Sequence, residues 1–320
     1  MIERNSKIEQ KQLEEILSLR FVYRDYPLAP HTYYNIGGCA DIAMIPINEE
    51  EMAVAYKYFQ EFSLPRFILG GGTNVLISDK GFRGLVLITC AYQQIQSLGG
   101  DRYYITSGVE LQRIVKEIML ENNYEGVGAL TGIPGTVGGA LFMNAGTVNG
   151  CICEWAEEVH LLSSGGLRMV SMCPSLYNYR SQKFCSTEDL ILGAVFHFRE
   201  SDKDQRPIYE HYISRRKEKQ PEGHCCGSVF KNPPNEHAGK LIEDCGLKGY
   251  RYGGAVISPV HANFIMNEGN ASFNDVLYLI RLAKHKVLEK FNICLEEEVR
   301  IIFEDGCFQY CPHQTIKNEG

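Results

Sequence analysis

An α+β protein in three successive blocks is the fold that this 320-residue sequence predicts. Three observations carry that reading. Short strand-like runs alternate with helical patterns through the first two blocks. Two glycine-dense segments, Gly70-Gly71-Gly72-Thr73-Asn74 and the stretch from Gly128 to Ala140, interrupt those patterns. Past residue 206 the texture changes to longer polar and amphipathic helices.

In the first block, Ile42-Ala43-Met44-Ile45 reads as a strand. Met52, Ala53, Tyr56, Phe59 and Phe62 recur at helical spacing. Phe67-Ile68-Leu69 and Val75-Leu76-Ile77 flank the first glycine loop, and Leu85-Val86-Leu87-Ile88 is a further strand. In the second block, Tyr103-Tyr104-Ile105 is a strand, and Leu111, Ile114, Val115, Ile118 and Met119 form an α-helical stripe. Val159-His160-Leu161-Leu162 with Gly165-Gly166 suggests a hairpin, and the run from Leu190 to Phe196 another strand. The third block holds a polar helix from Tyr209 to Lys219, a breaker at Pro221-Glu222-Gly223 and a short helix from Ala238 to Cys245. A long helix carrying Val276, Leu277, Leu279, Ile280, Ala283, Val287 and Leu288 precedes a closing strand, Val299 to Phe303. The expected division is 1–92 (with an amphipathic N-terminal helix through Ile8, Leu13, Ile16 and Leu17), 93–205, 206–304 and a polar, frayed tail 305–320.

Hydrophobic residues make up 44% and charged residues 22%, with a net charge of −7. That composition is ordinary for a soluble globular protein, and the dispersed lysines and arginines speak against a nucleic-acid surface, which usually shows a basic patch. The densest basic run, Arg215-Arg216-Lys217, reads as a solvated helix face. No apolar run reaches the roughly 20 residues of a membrane span, and the N-terminus has no apolar signal core. A cytoplasmic protein without membrane attachment is expected, and a monomer. Twelve cysteines are present, but Cys151-x-Cys153 and Cys307-x-x-x-Cys311 lack the partners that zinc requires, so no metal site is expected. Free thiols are the reading in a reducing compartment.

Glycines interleaved with apolar residues make backbone that can approach a ligand closely, and the amides of such loops can form a nest for phosphate oxygens. Two such loops suggest a long polyphosphate or dinucleotide ligand. Yet there is no Gly-x-Gly-x-x-Gly opening a helix, no Walker loop and no Gly-x-Ser-x-Gly elbow. Tyr179-Arg180-Ser181, Gly227-Ser228-Val229-Phe230-Lys231-Asn232-Pro233 and Leu295-Glu296-Glu297-Glu298-Val299-Arg300 could carry chemistry. Each alone also reads as a turn or a solvated surface segment.

In order along the chain come Asn35-Ile36-Gly37-Gly38, Leu69-Gly70-Gly71-Gly72-Thr73-Asn74 and Gly132-Ile133-Pro134-Gly135-Thr136-Val137-Gly138-Gly139-Ala140 with Asn144-Ala145-Gly146. Then follow the Tyr-Arg-Ser and Gly-Ser-Val-Phe-Lys-Asn segments, Ala238-Gly239-Lys240-Leu241-Ile242-Glu243, His261-Ala262-Asn263-Phe264 and the Glu298 segment. This series, from about Leu28 to Phe303, resembles the UDP-N-acetylenolpyruvoylglucosamine reductase family. The resemblance implies an FAD-binding module of the vanillyl-alcohol-oxidase type in two α+β subdomains, followed by an α+β substrate domain. Relatives of a longer type carry an inserted loop with a tyrosine that closes over substrate. The chain has no room for it and is similar to the shorter type.

The family reduces the enolpyruvyl ether of UDP-N-acetylglucosamine enolpyruvate to the lactyl ether, with hydride passing from NADPH by way of FAD. The resemblance therefore implies FAD, held non-covalently, and NADPH as co-substrate, the latter sharing one site with the UDP-sugar in turn. It implies that Gly70, Gly71, Gly72, Thr73 and Asn74, with Gly132, Ile133, Pro134, Gly135, Thr136, Gly138, Gly139 and Ala140, hold FAD. Arg180 and Glu298 would stabilise the enolate-like intermediate, and Ser228 would deliver the proton to carbon. Arginine forks onto a carboxylate, and a glutamate helps an anion only as the neutral acid or by holding a donor in place. Lys231, Asn232 and Asn263 would contact the UDP-sugar. Two departures stand out: Gln182 replaces a serine two residues past Arg180, and Cys225 and Cys226 precede the catalytic turn. An oxidase on the same scaffold would lack the Ser228 and Glu298 elements and would often attach FAD covalently through a histidine or cysteine, and retention of Arg180, Ser228 and Glu298 argues against a flavin-binding protein without activity.

Overall fold

The computed structural model describes residues 14–306, and the expectations for the first helix up to residue 13 and for the tail from 307 lie outside it. The described chain forms two compact units that cut across sequence order. The first contains residues up to 26, 40–71 and 83–216; the second contains 27–39, 72–82 and 217 onward.

In the first unit, a four-stranded sheet runs in the order Val22–Pro27, Cys39–Met44, Phe82–Ile88, Arg66–Leu69. Arg66–Leu69 pairs parallel to Phe82–Ile88, with Leu69 opposite Ile88. Helix Glu49–Glu61 starts where the Asn48 side chain accepts from the Glu51 N–H at 2.9 Å, an N-cap that satisfies one of the free donors of the first turn. Its buried stripe of Met52, Ala55, Tyr56 and Phe59 packs with Ile42, Met44, Leu85 and Leu87 of the sheet. The 3.6-residue period read from sequence is thus a core-facing period.

A second, five-stranded antiparallel sheet runs Gly166–Ser171, Ala156–Ser163, Leu190–His197, Arg102–Thr106, Ile95–Gly99. The strand from Leu190 is buried on both faces. Leu190 and Leu192 pack in the first core, whereas Ile191, Ala194 and Phe196 belong to a second. The change of parity coincides with a register shift, since His160 pairs with Gly193 but Leu161 with Ile191. A bulge of this kind turns side chains to the opposite face.

The stripe at 111–119 departs from the α-helix that its spacing predicts. Only Leu111–Arg113 is α-helical, and Ile114–Leu120 is a π-helix. Ile114, Val115, Ile118 and Met119 all remain in the core, as the stripe predicts, although the turn that carries them is wider.

The second unit is built around helix Phe273–Phe291, which opens with a reciprocal Ser272–Asp275 capping box. A three-stranded antiparallel sheet, Arg251–Tyr252, Ala255–Ile257 and Ile265–Asn267, and helix Ala238–Asp244 complete its body. Val75–Ile77 pairs in parallel with Arg300–Ile302, which brings the chain just past the first glycine loop beside the Glu298 segment. Tyr34, Leu76, Val229, Phe230, Leu241, Ile280, Leu295 and Val299 share its core.

Candidate active site

Within the first unit the two glycine segments meet. A Cβ on Gly70 would lie 2.8 Å from the Thr136 hydroxyl, and one on Gly71 would lie 3.2 Å from Gly135 Cα. A side chain at either position would force a neighbour to shift. The second segment is held from behind by main-chain bonds: Leu111 N–H to Gly135 O at 2.9 Å, Val137 N–H to Val109 O at 2.8 Å and Gly138 N–H to Ser107 O at 2.9 Å. Thr136 is 3% exposed, and its hydroxyl has no hydrogen-bond partner within the protein. A buried hydroxyl left unbonded costs stability unless something else bonds to it. A bound pyrophosphate is such an acceptor, so the cradle fits FAD. Gly72 belongs to the second unit, with φ of +64° and a Cβ position filled by the His31 carbonyl, so its place in the loop is a matter of backbone closure.

Arg180 is carried on the hairpin Tyr177–Asn178/Ser181–Gln182, in the first unit. Asn144 anchors the hairpin through a 2.8 Å bond from Nδ2 to the Asn178 carbonyl. Arg180 has φ of +50°, the left-handed region that a non-glycine residue enters at a cost. Its guanidinium lies over the Tyr179 ring and donates to the Gly146 carbonyl at 3.0 Å. Gln182 bonds both ways with Cys185, at 2.8 and 2.9 Å, and so closes the next turn.

Arg216 is the residue that the sequence reading misplaced. It is not a solvated charge. Its Nε donates to the Thr131 carbonyl at 2.9 Å, and its Cδ fills the space a Cβ on Gly132 would take. Burial, and then the charge of Arg180, hold its pKa below the usual guanidinium value. The signal available in sequence was position: Arg216 lies in helix Arg206–Lys219, one turn after Tyr212 and two turns after Ile208, which cover another glycine, Gly128.

Ser228 and Glu298 lie together in the second unit. The Glu298 N–H donates to the Val229 carbonyl at 2.8 Å, one residue from Ser228. The segment that follows Ser228 is fixed by Asn263, whose Oδ1 accepts from the Phe230 N–H at 3.0 Å and whose Nδ2 donates to the Phe230 carbonyl at 2.8 Å. Asn263, expected as a substrate contact, is 3% exposed, and its side-chain amide makes this pairing. Lys231 forms a 2.6 Å pair with Glu296, and the Asn232 side chain accepts from the Ala238 N–H at 3.1 Å, at the start of helix Ala238–Asp244. Asn74, expected to face the cofactor, donates from Nδ2 to the Glu298 carbonyl at 2.9 Å.

Cys225 and Cys226 are 8% and 3% exposed. Burial raises both thiols, Cys226 to about 12, so neither is a nucleophile at neutral pH. Among the described residues no cluster of three or more His, Cys, Asp or Glu could hold a metal, and no helix is long and apolar enough to cross a membrane.

The chain matches two family models: "UDP-N-acetylenolpyruvoylglucosamine reductase, C-terminal domain" over residues 219–302 and "FAD binding domain" over 40–169. It is 37% identical over 296 residues to UDP-N-acetylenolpyruvoylglucosamine reductase of Caldanaerobacter subterraneus subsp. tengcongensis, covering 92% of this chain and 97% of that protein. It is 38% identical over 298 residues to UDP-N-acetylenolpyruvoylglucosamine reductase 2 of Bacillus cereus, covering 92% and 97%. Among solved structures it is similar to the MurB reductase of Thermus caldophilus, with TM-score 0.74, 32% identity and coverage of 88% and 98%.

Proposed function

Because the chain belongs to the UDP-N-acetylenolpyruvoylglucosamine reductase family, an FAD-binding oxidoreductase, we propose that it takes its electrons from NADPH and works by a ping-pong sequence, with NADPH and UDP-sugar using one site in turn. The observation that carries the reading is the pairing of Ser228 and Glu298 on adjoining backbone, joined by the 2.8 Å bond from Glu298 N–H to Val229 O. Those two residue types, so placed, suit proton delivery to a carbanion-like carbon. The segments 1–92 and 93–205 would form the flavin module, and 206–304 the substrate domain.

FAD would be held by the Gly70–Asn74 backbone and by Gly132–Ala140, with the buried Thr136 hydroxyl bonding a phosphate oxygen. When bound, it supplies the hydride that reaches the terminal vinyl carbon of the substrate. The protein's own groups then manage charge and proton. Arg180 forks onto the substrate carboxylate, where negative charge accumulates. Ser228 gives its hydroxyl proton to the adjacent carbon, a strong enough base to take it from a weak acid. Glu298 stabilises the same developing anion. Lys231 and Asn232 would meet the UDP-sugar, and Asn263 would hold the segment that follows Ser228 in place. The reaction would be cytoplasmic and would serve peptidoglycan precursor synthesis.

The test separates the two halves of turnover. Purified enzyme is first reduced with NADPH without oxygen, then mixed with UDP-N-acetylenolpyruvoylglucosamine. Arg180→Ala, Ser228→Ala and Glu298→Gln should retain flavin and its reduction by NADPH, while reoxidation by the UDP-sugar is blocked. Full turnover by Ser228→Ala would sink its role as proton donor, and reoxidation by oxygen alone would point to an oxidase.

A further inference from the structure

Glu298 lies in a stretch without regular structure, between helix Phe273–Phe291 and the strand that begins at Arg300. Three hydrogen bonds fix its peptide. The Glu298 and Val299 N–H groups both donate to the Val229 carbonyl, at 2.8 and 3.2 Å. The third comes from Asn74 Nδ2 to the Glu298 carbonyl, at 2.9 Å, across 224 residues of sequence. Asn74 engages the same stretch a second time, because its own carbonyl accepts from the Arg300 N–H at 3.0 Å. The parallel pairing of Val75 with Arg300 continues from there.

The two contacts of Asn74 differ in what can be removed. The bond to Arg300 is main chain, and a substitution at 74 leaves it, along with the Val75–Ile77 ladder. The bond to Glu298 is made by the side chain and can be deleted alone. Asn74 also closes the glycine loop Gly70–Asn74. One residue therefore joins the end of the cofactor loop to the peptide that carries the acid.

On the reading that Glu298 acts on the substrate anion, we propose that Asn74 is a positioning residue for Glu298, holding its peptide against the Val229 carbonyl beside Ser228. It is not primarily a flavin contact. The amide serves as donor to a carbonyl, so an isosteric carboxylate at 74 cannot replace it. Deleting the donor removes the hold on the Glu298 carbonyl opposite the Val229 side, and a small displacement of a catalytic group is costly in rate.

Asn74→Ala and Asn74→Asp are compared with the unaltered holoenzyme in three measurements: FAD affinity, the rate of flavin reduction by NADPH, and the anaerobic rate of reoxidation by the enolpyruvyl UDP-sugar across pH. FAD affinity and reduction should stay within about twofold, while reoxidation slows about tenfold or more in both variants, the scale of one lost hydrogen bond. Its pH profile should move as well. The double variant Asn74→Ala/Glu298→Gln should be no slower than Glu298→Gln alone, because the two act through one group. Equal losses in FAD affinity and reoxidation rate would overturn the proposal and return Asn74 to the cofactor site. So would reoxidation within about twofold of wild type. Glu298→Gln in the same assay reads the role of Glu298 by itself. If it is blocked while Asn74→Ala is unimpaired, only the positioning role fails. If it reoxidises at the wild-type rate, both fail.

Discussion

Asn263 and Phe230 exchange a complete amide pair: Phe230 N–H to Asn263 Oδ1 at 3.0 Å and Asn263 Nδ2 to Phe230 O at 2.8 Å. The side chain imitates a strand neighbour and keeps the segment after Ser228 extended. The Asn263 carbonyl adds a bond from the Val229 N–H at 2.8 Å. Asn263→Ala removes the side-chain pair and leaves two buried main-chain groups of Phe230 without it. The expected loss of unfolding free energy is about 1–3 kcal/mol. Urea denaturation of the apoprotein measures it, and a loss under about 0.5 kcal/mol, the ordinary scatter of surface substitutions, would count against the positioning role.

The Thr136 hydroxyl makes opposite predictions for apoprotein and holoprotein. It is buried without a protein partner. Thr136→Val removes that group at nearly constant volume. The apoprotein should melt at the same temperature or higher, because an unbonded buried hydroxyl is removed. FAD should bind about tenfold more weakly, as expected for a lost bond to a charged phosphate. Unchanged FAD affinity would place the pyrophosphate elsewhere.

Arg180 carries backbone strain. At φ of +50°, glycine is favoured over any residue with a Cβ. Arg180→Gly should be more stable than Arg180→Ala by about 1 kcal/mol, although both should fail to reoxidise with substrate. Equal stability of the two variants in denaturant would show that the hairpin relaxes out of this conformation.

His261 confers a pH dependence on folding. Burial lowers its pKa below 6.5; Lys248 adds to the lowering, while a bond to its own backbone and the Glu243 charge oppose it. Its Nδ1 accepts from the Asn263 N–H at 3.2 Å, which only the neutral ring can do. The unfolded chain binds a proton more readily than the fold. Stability is therefore complete above the unfolded value near 6.5 and is lost as pH falls through it toward the folded value. Melting temperature should decline between about pH 7 and 5 in the wild type. His261→Gln should flatten that decline, and an unchanged slope would assign it to other groups.

Sequence alone determined the local elements and the family. Apolar periods placed helix Glu49–Glu61, the strand from Leu190 and helix Phe273–Phe291, because burial of one face imposes a repeat that a single segment displays. Eight ordered segments sufficed for the reductase family, since glycines needed for close backbone approach and charged groups needed for chemistry are read directly as residue types. Tertiary structure decided what depends on non-local partners. The π-turn at Ile114–Leu120 answers to core packing, and no residue type marks it. Arg216 looked like surface until its guanidinium was found on the Thr131 carbonyl, 85 residues away. Asn74 looked like part of a phosphate loop, yet its amide is engaged by Glu298 across 224 residues. A side chain's type is written in the sequence. The main-chain group that satisfies its hydrogen bonds is set only when distant segments pack.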